Sequence, residues 1–463
     1  MNILLTHGYF LEEDEKEKLI MKPYVPLGIL YISAWLSRNG FENEVFDSTF
    51  SSFEKLKTKL TEKRPEILGI YVNLMTKLNV LRIMEFIRNT PALSHTRIVL
   101  GGPEVKNHVA NFMNHGADII VLGEGEESMA EIAAAFSKSA DPDLSGIAGI
   151  AWKNKSGETI MNEPRQLLKE VDALPFPDRS KIDLHLYLDA WKKHHGQSTI
   201  SVSTMRGCPY TCKWCSRAVY GLSYRRRSPE LVADEMEHIR EKYKPDMIWF
   251  VDDVFTISHK WLREFADEIE KRKLELPYEI ITRADRMNEE VIDLLVKSGC
   301  RRVWIGAESG SQKIIDAMDR RVDVKQVSDM IRLSQQKGIQ AGTFIMLGYP
   351  GETQKDIRET IRHLVSSDPD LYTITVAYPI KGTPLYEEVE SRFIQQPDWA
   401  KSTDRDIDFE RSFPRKYYDY AVRWVYNEVA FSKSRKNGHW MKMPIHKLKS
   451  LAARGGMFLS KMM

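Results

Sequence analysis

Three cysteines fall within eight residues, in the stretch Arg206-Gly207-Cys208-Pro209-Tyr210-Thr211-Cys212-Lys213-Trp214-Cys215. Their spacing is C-x3-C followed by C-x2-C, and Gly207 and Pro209 keep the segment out of a regular helix. A loop of this kind can wrap three soft thiolates around one corner of an iron–sulfur cluster or a zinc ion. Structural zinc takes four protein ligands, and no fourth Cys or His stands at finger-like spacing. Three ligands on a four-iron cluster would instead leave one iron open to a substrate. Three unconnected surface thiols are the bland alternative, and a chain with only four cysteines argues against it.

With an aromatic residue, Trp214, just ahead of the third cysteine, the loop resembles that of the radical S-adenosylmethionine (SAM) superfamily. The resemblance implies a [4Fe–4S] cluster on Cys208, Cys212 and Cys215, with SAM on the open iron. Cys300 follows Gly299 at a helix-to-strand turn on the amino-end side, where a buried core thiol is expected. One cluster's worth of cysteines excludes a second iron–sulfur cluster. It therefore excludes the methylthiotransferase and auxiliary-cluster branches of the superfamily.

The elements that must hold this loop form two series. In the first, strands are expected at Ile3–Thr6, Glu44–Phe46, Ile67–Val72, Arg97–Leu100 and Ile119–Leu122. Helices alternate with them at Leu27–Asn39, Ser52–Lys63 and Leu78–Arg88. Strict alternation implies a doubly wound parallel sheet whose ligand lies beyond the carboxyl ends of the strands. The loops there, Pro26-Leu27-Gly28, Gly101-Gly102-Pro103-Glu104 and Gly123-Glu124-Gly125-Glu126, resemble the N-terminal domain of cobalamin-binding radical SAM enzymes. That resemblance implies cobalamin contacts at Leu27, Gly28, Asn73, Gly101, Gly102, Gly123 and Glu124. Paired glycines suit such a ligand, because a Cβ would collide with a flat, bulky ring. The D-x-H-x-x-G signature of a cobalt-ligating His is absent, and His7 reads as an ordinary strand-end residue.

The second series has strands at Thr199–Thr204, Met247–Val251, Tyr278–Thr282, Arg302–Gly306, Gln340–Leu347 and Tyr372–Ala377. Its helices start at Ser228-Pro229, Ser258, Asn288, Asp323 (with Gln326 as capping-box partner) and Thr353. Six strand–helix units are too few for a closed eightfold barrel. They are similar to the partial (β/α)6 barrel of radical SAM proteins, whose first strand leads into the cluster loop. The resemblance places SAM near Trp214, Arg283, Glu308 and Ser309 of Gly306-Ala307-Glu308-Ser309-Gly310, and Gly348. No side chain is singled out as a catalytic acid or base. Asp253 reads equally as a helix cap, and Tyr378 as core packing.

The expected fold class is α/β. It comprises a Rossmann-like cobalamin-binding domain (1–135), a linker with a small hairpin (136–195), the radical SAM barrel (196–400) and a helical C-terminal region (401–463). The chain's net charge is +2. Residues 432–463 carry eight basic residues and no acid, interleaved with Trp440, Met443, Leu448 and Phe458, so the remainder is −6. An acidic body argues against a nucleic-acid partner. The tail suits a solvated appendage or a segment on an anionic membrane, although Gly438, Gly455 and Gly456 are expected to interrupt a long helix. Four cysteines make a poor disulfide framework, no apolar run nears the ~20 residues of a membrane span, and the start reads as a strand, so a cytoplasmic protein is expected.

The resemblance further implies methylation of an unactivated carbon of a small molecule, lipid or natural product, through a 5′-deoxyadenosyl radical and methylcobalamin. The electron donor would be of flavodoxin or ferredoxin type. The alternatives are a cobalamin-dependent radical SAM cyclase or oxidoreductase, and a noncatalytic cobalamin-binding regulator.

Overall fold

The computed structural model of the protein describes residues 1–461. Short apolar runs form the first sheet: β1 (Ile3–His7), β2 (Asn43–Phe46), β3 (Ile67–Tyr71), β4 (Arg97–Gly101), β5 (Ile119–Val121), β6 (Ile150–Lys153) and β7 (Thr159–Met161). Their order is β2-β1-β3-β4-β5-β6-β7. The first five are parallel. The hairpin β6–β7, expected in the linker, extends the sheet antiparallel from β5.

Both faces of β1, β3 and β4 are covered, which is why these strands read as continuous apolar runs rather than alternating ones. Leu56, Leu60, Val80, Ile83 and Ile87, from the helices Phe53–Lys63 and Lys77–Arg88, pack on one face. Ile29, Leu36, Met129 and Ile132, from the helices Leu27–Arg38 and Glu126–Lys138, pack on the other. The linker also holds a helix that the sequence reading missed, Leu184–His195, capped by Asp183 and stopped by Gly196 at φ +77°. Its buried face, Leu184, Tyr187, Leu188 and Trp191, has the i, i+3, i+4, i+7 spacing that marks an amphipathic helix.

The remaining strands are β8 (Thr199–Val202), β9 (Met205–Arg206), β10 (Arg225–Arg226), β11 (Met247–Phe250), β12 (Tyr278–Thr282), β13 (Cys300–Glu308), β14 (Gln340–Leu347) and β15 (Leu371–Val376). Six of them form a second sheet in the order β15-β14-β13-β12-β11-β8. The β12–β13, β13–β14 and β14–β15 pairs are parallel. Helix starts follow the sequence: Ser258 accepts from the Trp261 N–H, Asn288 from Val291, and Asp323 from Lys325 and Gln326. At Asp323 the return bond, from its own N–H to the Gln326 side chain, is not made among the described residues, whereas Thr353 forms a full capping box with Asp356.

Two helices end the described chain, Arg415–Lys436 and Met443–Ser460. The expectation that Gly455 and Gly456 break the second is corrected, because the helix runs through both. A Cβ on Gly456 would sit 2.6 Å from the Tyr420 ring, so the glycine permits close helix–helix approach. Gly438, at φ +70°, does interrupt, between the two helices. Among the described residues no helix is long and apolar enough to cross a membrane.

The chain divides into two compact units. One comprises residues 1–209, 216–249 and 397–403, the other residues 210–215, 250–396 and 404–463. Within the first, the late segment 397–403 returns to the N-terminal sheet. There Trp399 meets Phe112 edge-on at 4.8 Å between ring centroids, lies beside His108 and His115, and has the buried Lys77 ammonium over its ring at 4.8 Å.

Candidate functional site

The cysteine loop has a built neck. Strands β9 and β10 pair antiparallel, Arg206 with Arg225 and Met205 with Arg226, and so close the segment 207–224 at its base. Gly207 opens the turn at φ +86°, and a Cβ there would fall 2.2 Å from Ser223 Oγ and 2.5 Å from its carbonyl oxygen. No other residue fits. The neck is bonded to the Gly123–Glu126 turn of the same unit. Arg206 donates to Glu124 Oε1 at 2.7 Å and to Glu126, and Arg225 donates to Glu124 Oε2 at 2.7 Å and to the Leu168 carbonyl at 2.8 Å. Glu124 Oε2 also accepts the Leu168 N–H at 2.9 Å. Burial pushes this carboxyl up, but the two arginines hold it below the usual carboxylate range. Glu124, expected on cobalamin, thus has both oxygens engaged in tying the cysteine loop to the Gly123 turn.

In the second unit, residues 210–215 are fixed by main-chain bonds: the Lys213 N–H donates to Met318 O at 3.1 Å, and the Leu385 N–H to Lys213 O at 3.0 Å. Trp214 packs on a cluster containing Ile314, Met318, Tyr349 and Leu385. Cys212 is buried, Cys208 and Cys215 are half-buried, and no described cysteine is in a disulfide. Two guanidinium groups point at Cys212 Sγ, Arg283 from 3.7 Å and Arg320 from 3.8 Å. Two buried guanidinium donors aimed at one sulfur suit a metal-ligating cysteine, whose sulfur such hydrogen bonds orient and tune. The site's chemistry therefore fits the cluster that the spacing implies.

Both arginines are themselves held. Arg283 donates to Asp285 at 2.8 Å and to Arg320 O at 2.6 Å, and lies over the Tyr210 ring at 3.9 Å. Arg320 donates to Gly306 O at 2.9 Å and stands 3.6 Å from Glu308. A Cβ on Gly306 would lie 2.2 Å from Arg320 Nη2, so this glycine makes room for the guanidinium. Glu308 ends β13 just past a register shift and adopts φ +64°, a left-handed conformation rare for a residue with a side chain. Burial pushes its carboxyl up against the pull of Arg320 and Arg283. A strained, buried carboxylate at the carboxyl end of a barrel strand is where this architecture places ligand-handling groups.

Of the residues expected near SAM, Trp214, Arg283 and Glu308 gather around Cys212 and Arg320. Ser309 and Gly348 instead order their own loops. Ser309 Oγ accepts the Ser311 N–H at 3.1 Å, and the Gly348 N–H donates to Glu352 at 2.6 Å. Arg320 was missed. In sequence it is one of two arginines after a short helix, a pattern that ordinarily faces solvent.

In the first sheet the strand order reverses between β1 and β3, the position of the ligand crevice in open parallel sheets. Glycines surround it. Gly102 has φ +112°, and a Cβ there would lie 2.4 Å from Val72 O. Gly28 is exposed behind the half-buried Leu27 at the start of its helix, with the Tyr71 ring 3.6 Å from where its Cβ would be. Gly101 continues β4, and Gly123 turns at φ +100°. Asn73 Oδ1 accepts the N–H groups of Met75 and Thr76 at 2.9 and 3.0 Å, shaping the loop after β3. This side-chain-poor rim fits a flat macrocycle. His7 is committed elsewhere: its Nδ1 accepts the Tyr9 N–H at 3.1 Å, and its Nε2 lies 3.0 Å from Asp47 Oδ1.

Comparison with known proteins agrees with this geometry. The Radical SAM superfamily profile matches residues 202–364, and the B12 binding domain profile matches residues 21–133. The chain is 28% identical over 391 residues to an uncharacterized methyltransferase of Pyrococcus horikoshii, covering 82% of each protein. It is 24% identical over 376 residues to the anaerobic magnesium-protoporphyrin IX monomethyl ester cyclase of Rubrivivax gelatinosus, covering 79% of this chain and 66% of that one. The solved structure of the cobalamin-dependent S-adenosylmethionine radical enzyme OxsB superposes with a TM-score of 0.76 at 16% identity, over 99% of this chain and 72% of that one. The cysteine loop, the partial barrel and the glycine-rimmed sheet thus place the chain among the cobalamin-binding radical SAM enzymes, whose cofactors are a [4Fe–4S] cluster, SAM and cobalamin.

Proposed function

We propose that the protein is a cobalamin-dependent radical SAM C-methyltransferase acting on an unactivated carbon of a small molecule. One observation carries this reading. The glycine turn Gly123–Glu126 at the cobalamin crevice is bonded through Arg206 and Arg225 to the neck of the cysteine loop. Coupling of this kind supports chemistry that uses both cofactors in one turnover. When bound, the cofactors supply hydrogen abstraction and a transferable methyl group, and the protein supplies position.

In this reading Cys208, Cys212 and Cys215 hold the cluster, and Arg283 and Arg320 neutralise charge at Cys212. Trp214 and Glu308 face SAM, with Ser309 and Gly348 shaping the adjoining loops. Leu27, Gly28, Asn73, Gly101, Gly102 and Gly123 border cobalamin, with Glu124 anchoring that border. The functional segments are 1–135 for cobalamin, 136–195 as connector, 196–400 for the radical chemistry and 401–463 as a helical appendage. An electron donor of flavodoxin or ferredoxin type and a cytoplasmic setting complete it.

A radical SAM cyclase is the second reading, favoured by the similarity to the Rubrivivax enzyme. Anaerobic turnover with methyl-labelled SAM separates the two. Label in the product supports methyl transfer, whereas unlabelled product accompanied by 5′-deoxyadenosine supports cyclisation or oxidation.

A further inference from the structure

The helix Met443–Ser460 buries one face and exposes apolar side chains on the opposite one. The inner face, Ser450, Ala453, Met457 and Ser460, is buried, with Ser450 donating to Glu428 of the helix Arg415–Lys436. On the outer face Ile445 is 52% exposed, Leu448 67% and Leu459 63%. With Ala452 these fall within about 60° of one another at helical spacing. Leu451 and Phe458, 50% and 65% exposed, widen the stripe on one side. A helix packed on a core ordinarily turns a polar face outward, so a contiguous exposed stripe marks an interaction surface.

Its borders are basic. Lys449 flanks one edge, and Lys447 and Arg454 the other. Of the eight basic residues in 432–463, Lys433 and Lys436 pair with Asp368, and Lys447 pairs with Glu428 at 3.2 Å. Arg435, Lys442, Lys449, Arg454 and Lys461 have no carboxylate partner among the described residues. A second copy of this helix would bring the same positive charge, and no acid, against it. An anionic bilayer offers hydrocarbon to the stripe and negative headgroups to its borders.

We infer that the helix Met443–Ser460 lies in the plane of an anionic phospholipid bilayer, its outer stripe in the acyl boundary and its lysines and arginine at the headgroups. The inference is independent of whether the chemistry is methyl transfer. Flotation of the full-length protein with neutral phosphatidylcholine vesicles, and with vesicles also containing phosphatidylglycerol, tests it. Partitioning onto the anionic vesicles should be at least about tenfold stronger and weaken with salt. The double variant Ile445→Asp/Leu448→Asp should lose that difference while keeping its melting temperature and iron content, because both side chains are exposed. Equal partitioning of wild type and variant, or none by either, overturns the inference. So does a dimer in sedimentation velocity that the double variant dissolves without any vesicle binding, since it would assign the face to a second copy.

Discussion

Cys212 is the buried cysteine of the cluster loop, and the two guanidinium groups on its sulfur bear directly on redox behaviour. Reduction adds negative charge to a cluster, and N–H groups on its sulfur ligands stabilise the reduced form. Removing one donor with Arg320→Ala should lower the cluster's midpoint potential by about 60 mV, one tenfold step for a single electron. Redox titration followed by electron paramagnetic resonance reads this without reference to turnover. Each of Cys208→Ala, Cys212→Ala and Cys215→Ala should abolish iron binding, whereas Cys300→Ala should retain full iron. Cys300 is buried at the start of β13, where desolvation pushes its thiol up and its Sγ lies 3.4 Å from Arg302 O. Retained iron in Cys212→Ala would overturn the ligand assignment. Glu352 offers a pH test. Burial raises its carboxyl from 4.5 to about 8, so the folded protein keeps a proton that the unfolded chain releases. That contribution to stability is lost as pH rises through this window and levels off above it. Glu352→Gln should remove the slope and, by the top of the window, gain on the order of 5 kcal/mol relative to wild type. Denaturant unfolding on either side of the window measures it. The cysteine spacing was legible because all three residues lie within one short segment. Arg320 was not, because its role comes from the room Gly306 leaves for its guanidinium and from Cys212, 108 positions away in the chain.

Among the elements, those with strong local signals were recovered: the parallel strands, the Asp, Asn and Ser caps, and the β6–β7 hairpin around Lys155-Ser156-Gly157. The helix Leu184–His195 carried a clear periodic face but sat between proline-rich turns that suggested only a connector. The helix Met443–Ser460 was hidden by two glycines whose purpose is packing, which local propensity does not register. At the cysteine-loop neck the requirement for glycine is equally tertiary. Gly207→Ala should force Ser223 and β10 away and reduce reconstituted iron well below that of wild type. Circular dichroism should show the rest of the fold unchanged. Full iron content in Gly207→Ala would mean that the neck can relax. At the other end of the coupling, Gly102→Leu should abolish the spectrum of bound hydroxocobalamin while leaving iron content intact.

At the scale of the whole molecule, packing need not follow chain order. The first compact unit gathers residues 1–209, 216–249 and 397–403, because packing partners need not be neighbours in the chain. Trp399 is its last large contributor. Trp399→Ala should cost about 2 kcal/mol, below the range for fully buried aromatics because Trp399 is half-buried. The loss should appear in the unfolding of the N-terminal sheet, followed by hydrogen exchange of β3 and β4. Unchanged exchange there would show that the segment merely rests on the surface.

The position of Trp399 also sets a clock. During synthesis at roughly 5–20 residues per second, N-terminal segments ordinarily fold as they emerge. Here the first unit stays incomplete until residues 397–403 leave the ribosome, tens of seconds after β1. Until then the pocket of Phe112, His108 and Lys77 lacks its tryptophan. The packing of the first unit is therefore completed only late in synthesis, long after its strands have emerged.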